Sequence, residues 1–221
     1  MNDKTIVNVE KLVLDNLDAN GSLDLENRKL CDDGVIRLSN LEALSQAKTL
    51  ILGDNEISDK GVGALCDSPY LSQLKTLNLK SNKITAEGAK MISQSANWSN
   101  LEALSQATKL ILGDNEISDK GVAALCNSPY LSQLKTLNLK SNKITAEGAK
   151  LISQSANWSN LDQLVLKFNE IGEEGAMHLA KSEVLSNITT LDLFRNHIGS
   201  EGAKAIKSSP NLKKLSRVRL D

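Results

Sequence analysis

The chain has 221 residues, of which 26 are basic and 27 acidic, so its formal net charge is −1. This balance gives no general attraction to nucleic acid or to an anionic membrane, and we expect neither as a partner. The apolar runs fall short of the roughly 20 residues of a spanning helix. The first residues, MNDKTIVNVEKLVLD, lack the apolar stretch of a secretory signal.

A repeated pattern begins at Leu23, and we interpret residues 1–22 before it as an N-terminal cap. The core of the pattern is LxLxxNxIxxxG followed by Ala or Val, and a weaker first copy reads LDLENRKLCDDGV. The copies start at residues 23, 50, 77, 110, 137, 164 and 191, and VRL from Val218 begins one more. Residues 23–221 are therefore predicted to hold about seven full repeats of the 27-residue type, one lengthened to 33, and a terminal strand.

A recent duplication explains the longer repeat. Residues 41–100 and 101–160 differ only at positions 48, 49, 63, 67 and 91 and their partners. The step from Leu77 to Leu110 is 33 residues because the two copies join there out of register. We expect the extra residues to add about two helical turns and a local bulge on the convex side.

Each copy of the pattern predicts one strand and one helix. The two leucines of LxL point to one face of a short strand, and their neighbours point to the other face. The glycines of the pattern are predicted to let the helix pack closely on the sheet. Helix N-caps are predicted at Ser58, Thr85, Ser118 and Thr145.

This spacing and pattern resemble the leucine-rich repeat family, in its ribonuclease-inhibitor-like class. The resemblance covers roughly residues 20 to 221 and implies an α/β solenoid, a horseshoe with a parallel concave sheet and convex helices. It also implies that the asparagine of the pattern is a buried ladder residue, whose amide satisfies backbone groups. These residues are Asn55, Asn82, Asn115, Asn142, Asn169 and Asn196. The short repeats further resemble the leucine-rich effectors that intracellular bacteria such as Legionella deliver into host cells.

The cysteines favour a reducing compartment. They are Cys31, Cys66 and Cys126, an odd number, and the last two occupy the same position in the two long copies. A disulfide framework is therefore not expected. We predict a cytoplasmic protein, and the resemblance to bacterial effectors adds the hypothesis of delivery into a host cytosol.

No pattern for catalysis, a metal or a cofactor emerges. His178 and His197 fall in different repeats, and neither has a metal-ligand spacing with a cysteine. Cys126 and Trp158 are interpreted as core residues, and the exposure of Trp98 is left open. We predict a protein without enzymatic activity, catalytic residues, metal ligands or a cofactor.

The neighbours of the core leucines predict a binding surface on the concave face. Ile51, Ile111, Val165 and Phe194 are apolar at positions that need not be so, and Phe168 follows on the adjoining turn. An apolar strip rimmed by charge is typical of an interface. The β-propensity of branched residues is an alternative reason for Ile51, Ile111 and Val165, but not for Phe168. The predicted contact residues are Ile51, Asp54, Lys80, Ile111, Asp114, Lys140, Val165, Lys167, Phe168, Asp192, Phe194, Arg195, Arg217 and Arg219.

The expected function is that of a binding module, monomeric alone, which grips a folded protein on its concave face. If that partner is an enzyme, covering its active site would inhibit it, as the resemblance to the ribonuclease inhibitor implies. The alternatives are a GTPase-activating protein of the leucine-rich repeat type and an adaptor that uses the convex helices as a second face. A designed consensus array is disfavoured by the out-of-phase step and the free cysteines.

Overall fold

The structure is a computed structural model, and it describes residues 8–97 and 108–221. Trp98 and the junction of the two long copies, where the bulge was expected, lie outside the described residues. Within these ranges, no helix is long and apolar enough to cross a membrane.

The twinned leucines build a single parallel sheet. In the described ranges it has eight strands in chain order, and Leu23, Leu50 and Leu77 pair side by side in register. The strands are β1 Ser22–Asp24, β2 Thr49–Ile51, β3 Thr76–Asn78, β4 Thr108–Ile111, β5 Leu134–Asn138, β6 Gln163–Val165, β7 Thr190–Asp192 and β8 Arg217–Arg219. The predicted solenoid with a parallel sheet is confirmed.

Short helices return the chain from one strand to the next. They are α1 Val9–Asn16, α2 Cys31–Ser39, α3 Asp59–Cys66, α4 Ala86–Gln94, α5 Ser118–Cys126, α6 Ala146–Gln154, α7 Gly172–Ala180 and α8 Gly199–Lys207. Turns of 3₁₀ helix cover Glu42–Gln46, Ala156–Trp158 and Val184–Asn187. Each helix from α2 onwards packs on its neighbour, so that successive repeats stack.

The core fills the space between sheet and helices. In each clear copy of the pattern, the two leucines of LxL and the isoleucine that follows them are buried. Leu50, Leu52 and Ile57 are one such set. Trp158 is only 1% exposed, and its indole N–H donates to Sγ of Cys126 at 3.3 Å. The prediction that Trp158 and Cys126 are core residues is therefore confirmed.

The asparagine ladder is also confirmed. The Asn142 side chain is fully buried, and its Nδ2 donates to the carbonyls of Leu112 and Lys140, both at 2.9 Å. Its Oδ1 accepts from the N–H of Ile117 at 3.2 Å. One side chain thus bonds to the turn of its own repeat and to that of the preceding repeat, where no regular backbone ladder exists.

The helices begin in two ways, and Ser118 departs from the prediction. Ser58, Thr85 and Thr145 are N-caps whose hydroxyls accept a backbone N–H. Ser118 instead lies inside α5 as its first residue, with a φ of 56°, and its side chain makes no capping bond.

A carboxylate from the preceding repeat explains the difference. Asp59 accepts the backbone N–H of Thr85 at 2.8 Å and its hydroxyl at 2.6 Å, and so holds the cap in place. In the repeat before Ser118, the position equivalent to Asp59 is occupied by Ala86, whose side chain has no hydrogen-bond acceptor. The N–H of Ser118 donates instead to the carbonyl of Asn142 in the following repeat.

The glycines of the pattern permit contact between helices, so the prediction of helix–sheet packing was wrong. A Cβ at Gly121 in α5 would lie 3.0 Å from Cβ of Ala89 and 3.2 Å from Cα of Ala86, both in α4. The nearest atom, Cγ2 of Ile117, belongs to the same repeat. A side chain at this position would push neighbouring repeats apart.

The three cysteines are unpaired thiols. Burial raises the pKa of Cys66 to about 12, although a hydrogen bond with Ser95 lowers it in part. Burial likewise raises the pKa of Cys126 to about 11. Both thiols are therefore protonated at neutral pH, which suits core residues and not nucleophiles.

Candidate protein-interaction surface

Two phenylalanines form an aromatic pair at the C-terminal end of the concave face. Phe194 follows β7 and is half-buried, and Phe168 lies in the turn after β6 with 38% of its surface exposed. Their ring centroids are 6.0 Å apart and the planes meet at 84°, an edge-to-face arrangement. The two residues are brought together because the N–H of Phe168 donates to the carbonyl of Phe194 at 2.9 Å in the adjacent repeat.

Cationic side chains alternate with these rings across neighbouring repeats. Lys140 lies 5.6 Å from the Phe168 centroid, and the guanidinium of Arg195 lies 5.4 Å from Phe168 and 5.5 Å from Phe194. The guanidinium of Arg219 lies 5.2 Å from Phe194 on the next repeat. We refer to these five residues, Lys140, Phe168, Arg195, Phe194 and Arg219, as the cation–aromatic row. Its distances fall within the range of favourable cation–π contacts.

The backbone of Phe168 adopts a conformation that its side chain disfavours. The equivalent turn residue has a positive φ in each repeat from the first to the seventh: Asn27, Asp54, Ser81, Asp114, Ser141, Phe168 and Arg195. Asparagine and aspartate tolerate this left-handed region, whereas a bulky ring there is uncommon. With a φ of 60°, Phe168 is held in place by the repeat geometry.

An open hollow of about 750 Å³ lies beside the aromatic pair. It is lined by Phe168, Asn169, Glu170, Phe194, Arg195, His197 and Asp221. The Asp221 carboxylate accepts the N–H groups of Asn196 and Ile198, both at 2.9 Å. Partial desolvation raises the pKa of Asp221, but these backbone hydrogen bonds outweigh it and the net pKa is lowered.

The N-terminal half of the predicted surface is separate from this hollow. Ile51 and Ile111 are half-buried on β2 and β4, next to glycines. Lys80 crosses over Gly53, which has no side chain, and its Nζ lies 2.7 Å from Glu26 two repeats away. The hydrogen bond with Glu26 raises the pKa of Lys80. Asp54 is exposed in the turn after β2.

The remaining predicted residues surround the cation–aromatic row. Asp114 pairs with Lys140 at 2.9 Å. Asp192 is only 8% exposed. It accepts the N–H of Phe194 at 3.1 Å and lies 3.8 Å from Arg219, so it contacts two residues of the cation–aromatic row. Val165 and Lys167 are half-buried, and Arg217 is exposed on β8.

Four residues that line the hollow were not among the predicted contact residues: Asn169, which was predicted only as a ladder residue, Glu170, His197 and Asp221. Glu170 and His197 share the position two residues beyond Phe168 and Arg195, which is polar in each repeat from Lys29 onwards. This regularity could have indicated that Glu170 and His197 lie side by side next to the predicted contact residues. Asp221 gave none, since its role depends on the turn of the preceding repeat.

In the part of the chain that the structure describes, no three His, Cys, Asp or Glu side chains come together as metal ligands. His178 lies on α7, partly exposed, with Nε2 3.8 Å from Glu174.

No curated protein matches the sequence. Among solved structures, the chain is similar to an internalin, InlF, from Listeria monocytogenes, at 25% identity over 92% of this chain and 59% of that one, with a TM-score of 0.49. It is also similar to the plant peptide hormone receptor RGFR1 in complex with RGF2, at 16% identity over 80% of this chain and 24% of that one, with a TM-score of 0.42. The chain thus spans less than two thirds of either protein.

A family model settles the classification. The model for the Leucine Rich repeat matches residues 48–66, 71–93, 108–126, 131–153, 159–180 and 184–207, which is more than half of the chain. Repeats of this kind form scaffolds for protein–protein interaction. The chain belongs to the leucine-rich repeat family.

Proposed function

We propose that the chain binds a folded protein partner on its concave face and that the Phe168–Phe194 pair is the principal anchor. One observation carries the proposal: Phe168 is a bulky, exposed aromatic residue held at a φ of 60°. Non-glycine residues in sparsely populated backbone regions cost of order 1–3 kcal/mol and cluster at functional sites. Folding alone gives no reason to place a ring there, because serine occupies the same turn at Ser81 and Ser141.

The chemistry of the pair suits an interface. Aromatic and arginine side chains dominate binding energy where they are desolvated by a partner. Phe168 and Phe194 are already oriented by each other and by Arg195, so little conformational freedom remains to be lost on binding. An anchor of this kind needs no catalytic group, and the proposed role is non-enzymatic.

The charges along the concave face favour one orientation of the partner. Asp24 and Asp54 are exposed on the early repeats, whereas Arg217 and Arg219 are exposed on the last strand. A partner with the opposite gradient would be aligned during its approach. If that partner is an enzyme whose active site meets the hollow, binding would inhibit it.

The thiols support a reducing compartment for this binding. Cys31, Cys66 and Cys126 are unpaired, and Cys31 is exposed. An exposed thiol persists best where the surroundings are reducing. We place the function in a cytoplasm on that basis.

Affinity capture with matched variants tests the proposal. The wild-type chain and the double variant Phe168→Ser, Phe194→Lys would be immobilised and exposed to the same cell lysate. Both replacements occur naturally at these repeat positions, as in Ser141 and Lys140, so we expect the fold to be preserved. We expect quantitative mass spectrometry to identify a protein that is retained by the wild type and lost from the variant.

The control removes an exposed apolar side chain elsewhere. Leu14 on α1 is 80% exposed and lies at the opposite end of the chain, so Leu14→Ser should retain the partner. Capture of the same proteins by wild type and double variant would contradict the proposal. Loss from Leu14→Ser as well would mean that retention depends on general hydrophobicity.

A further inference from the structure

We propose that the hollow binds an acidic segment of the partner, in which carboxylate side chains flank an apolar residue. This inference rests on the proposed function, since it assigns the chemistry of the same surface. The apolar residue would pack on Phe168 and Phe194, and the carboxylates would bind the guanidinium groups beside them. Two features support this assignment: the rings hold the guanidinium of Arg195, and several cations around the hollow lack an internal counter-ion within the described residues.

Arg195 is arranged to present its hydrogen-bond donors. Its guanidinium lies within 5.5 Å of both ring centroids, so the rings restrict it without occupying its N–H groups. A guanidinium is planar, weakly hydrated and suited to bind a carboxylate through two parallel hydrogen bonds. Holding it between two rings lowers the entropy lost when a carboxylate binds.

Several cations at this end of the face carry no internal counter-ion. In the described part of the chain, none of Lys167, Arg195 and Arg217 forms an ion pair. Lys140 and Arg219 are paired with Asp114 and Asp192, and the second pair is long at 3.8 Å. Uncompensated positive charge therefore concentrates around the aromatic pair.

The acidic residues that line the hollow restrict where the carboxylates of the ligand can bind. The Asp221 carboxylate accepts backbone N–H groups of the preceding turn, so its charge is engaged within the fold. Glu170 is exposed in the turn after Phe168 and would repel an anion there. The carboxylates of the partner are thus directed towards the strand side, where Arg217 and Arg219 lie.

An acidic protein segment fits better than a nucleic acid. A nucleic-acid strand is a continuous polyanion, and its binding needs positive charge along its whole path. The concave face carries exposed Asp24 and Asp54 at its other end, and the chain has a net charge of −1. Among the described residues, positive charge without an ion pair is concentrated beside the aromatic pair, at Lys167, Arg195 and Arg217, which suits a short acidic segment.

Synthetic probes test the inference with the full chain. Three fluorescein-labelled ligands would be titrated at low salt: a peptide with four glutamates around a Leu-Phe pair, the same peptide with glutamine in place of glutamate, and a single-stranded DNA oligonucleotide. We expect the acidic peptide to bind at least about tenfold more tightly than the other two. Its binding should weaken with salt and shift the backbone amide resonances of Phe168, Phe194 and Arg195.

Arg195→Ser is the decisive variant because serine stands at the same position in Ser81 and Ser141. We expect it to reduce affinity for the acidic peptide at least fivefold. Arg37→Ser on α2 removes the same charge away from the hollow and should leave affinity unchanged. Equal binding of the glutamate and glutamine peptides, tighter binding of the oligonucleotide, or no effect of Arg195→Ser would each overturn the inference.

The peptide titration and the capture experiment test different claims, so either claim can be refuted while the other stands. If the partner is lost from the Phe168→Ser, Phe194→Lys variant while the acidic peptide binds no better than its neutral counterpart, the protein-binding function stands and the acidic ligand is refuted. If the acidic peptide binds as expected but no protein depends on the two phenylalanines, the ligand chemistry stands and the proposed function is refuted.

Discussion

At the residue scale, the repeat itself shows which side chains the fold requires and which it does not. Asn142 has equivalents in each of the other clear copies and is fully buried, whereas the turn position of Phe168 accepts Asp, Ser, Arg or Phe. A residue that changes freely between repeats yet is unusual for its backbone conformation is a candidate for function. Phe168 meets both conditions.

Replacing Phe168 should therefore separate stability from binding. Phe168→Ser relieves the left-handed strain but removes contacts with Phe194, Lys140 and Arg195. These effects oppose each other, so we expect the free energy of unfolding to change by less than about 1 kcal/mol. Urea denaturation followed by circular dichroism measures this change. A loss of several kcal/mol would show that the ring is a structural residue.

Asn142→Ala should be strongly destabilising. The substitution leaves the N–H of Ile117 without its partner in a buried turn, and it removes one of the two donors to each of the carbonyls of Leu112 and Lys140. We expect a loss of about 3 kcal/mol in the free energy of unfolding. Asn138→Ala, at a half-buried strand position of the same repeat, is the control and should cost much less. If both substitutions lowered the free energy of unfolding equally, the stabilising role given to Asn142 would be contradicted.

Asp221 should make a small part of the stability depend on pH. Its pKa in the folded state is lowered below the unfolded value of about 3.9 by backbone hydrogen bonds. Its contribution is therefore present above that pH and is lost as the pH falls through the folded pKa. We expect Asp221→Ala to lower the melting temperature at pH 7 and to have a smaller effect at pH 3. An effect of the same size at both pH values would contradict this assignment.

At the scale of the elements, a helix start depends on the repeat before it. Asp32, Asp59 and Asp119 each hold the cap of the following helix, and where alanine replaces them the next helix begins differently. The feature couples neighbouring repeats, because the carboxylate of one satisfies the backbone of the next.

Asp59→Ala should destabilise the chain through the start of α4. The substitution removes the acceptor of the Thr85 N–H and hydroxyl, and we expect a cost of about 1 kcal/mol. Asp33→Ala is the control, since the side chain of Asp33 is 88% exposed and pairs only with Lys60 at 3.5 Å. Chemical denaturation measures the free energy of unfolding of both variants. If Asp59→Ala lowers it no more than Asp33→Ala does, the role given to Asp59 is contradicted.

The first helix supports the proposal that residues 1–22 cap the solenoid. Val9 and Val13 of α1 are buried and pack with the core, while Leu14 faces solvent. A terminal unit of this kind covers the apolar end of the repeat stack.

At the scale of the whole molecule, the leucine spacing predicted the sheet and the buried core because a period of 27 residues leaves one consistent way to bury LxL. The burial of Trp158 followed from the same phase, and the asparagine ladder followed from the resemblance to the leucine-rich repeat family. The start of α5 could not be predicted from Ser118 alone, because it depends on Ala86, 32 residues earlier. The near burial of Asp192 and the role of Asp221 were missed for the same reason, since neighbouring repeats decide both.

The concave face is therefore uneven along its length. In the early repeats Lys80 pairs with Glu26 and acidic residues are exposed, whereas the last repeats expose Phe168 beside cations that form no ion pair within the described residues. A duplication lengthened the scaffold without adding to this end, since the copied residues 41–160 stop before Phe168. The proposed anchors Phe168 and Phe194 belong to the unduplicated repeats, whereas Lys140 of the cation–aromatic row lies in the copied segment.

The central claim is that a partner is anchored by Phe168 and Phe194, and isothermal titration calorimetry of the captured partner tests it most directly. The wild-type chain, the Phe168→Ser, Phe194→Lys variant and Leu14→Ser would be compared at one salt concentration. We expect the double variant to lose at least about 30-fold in affinity, about 2 kcal/mol, while Leu14→Ser binds as the wild type does. An affinity of the double variant within about twofold of the wild type would contradict the account.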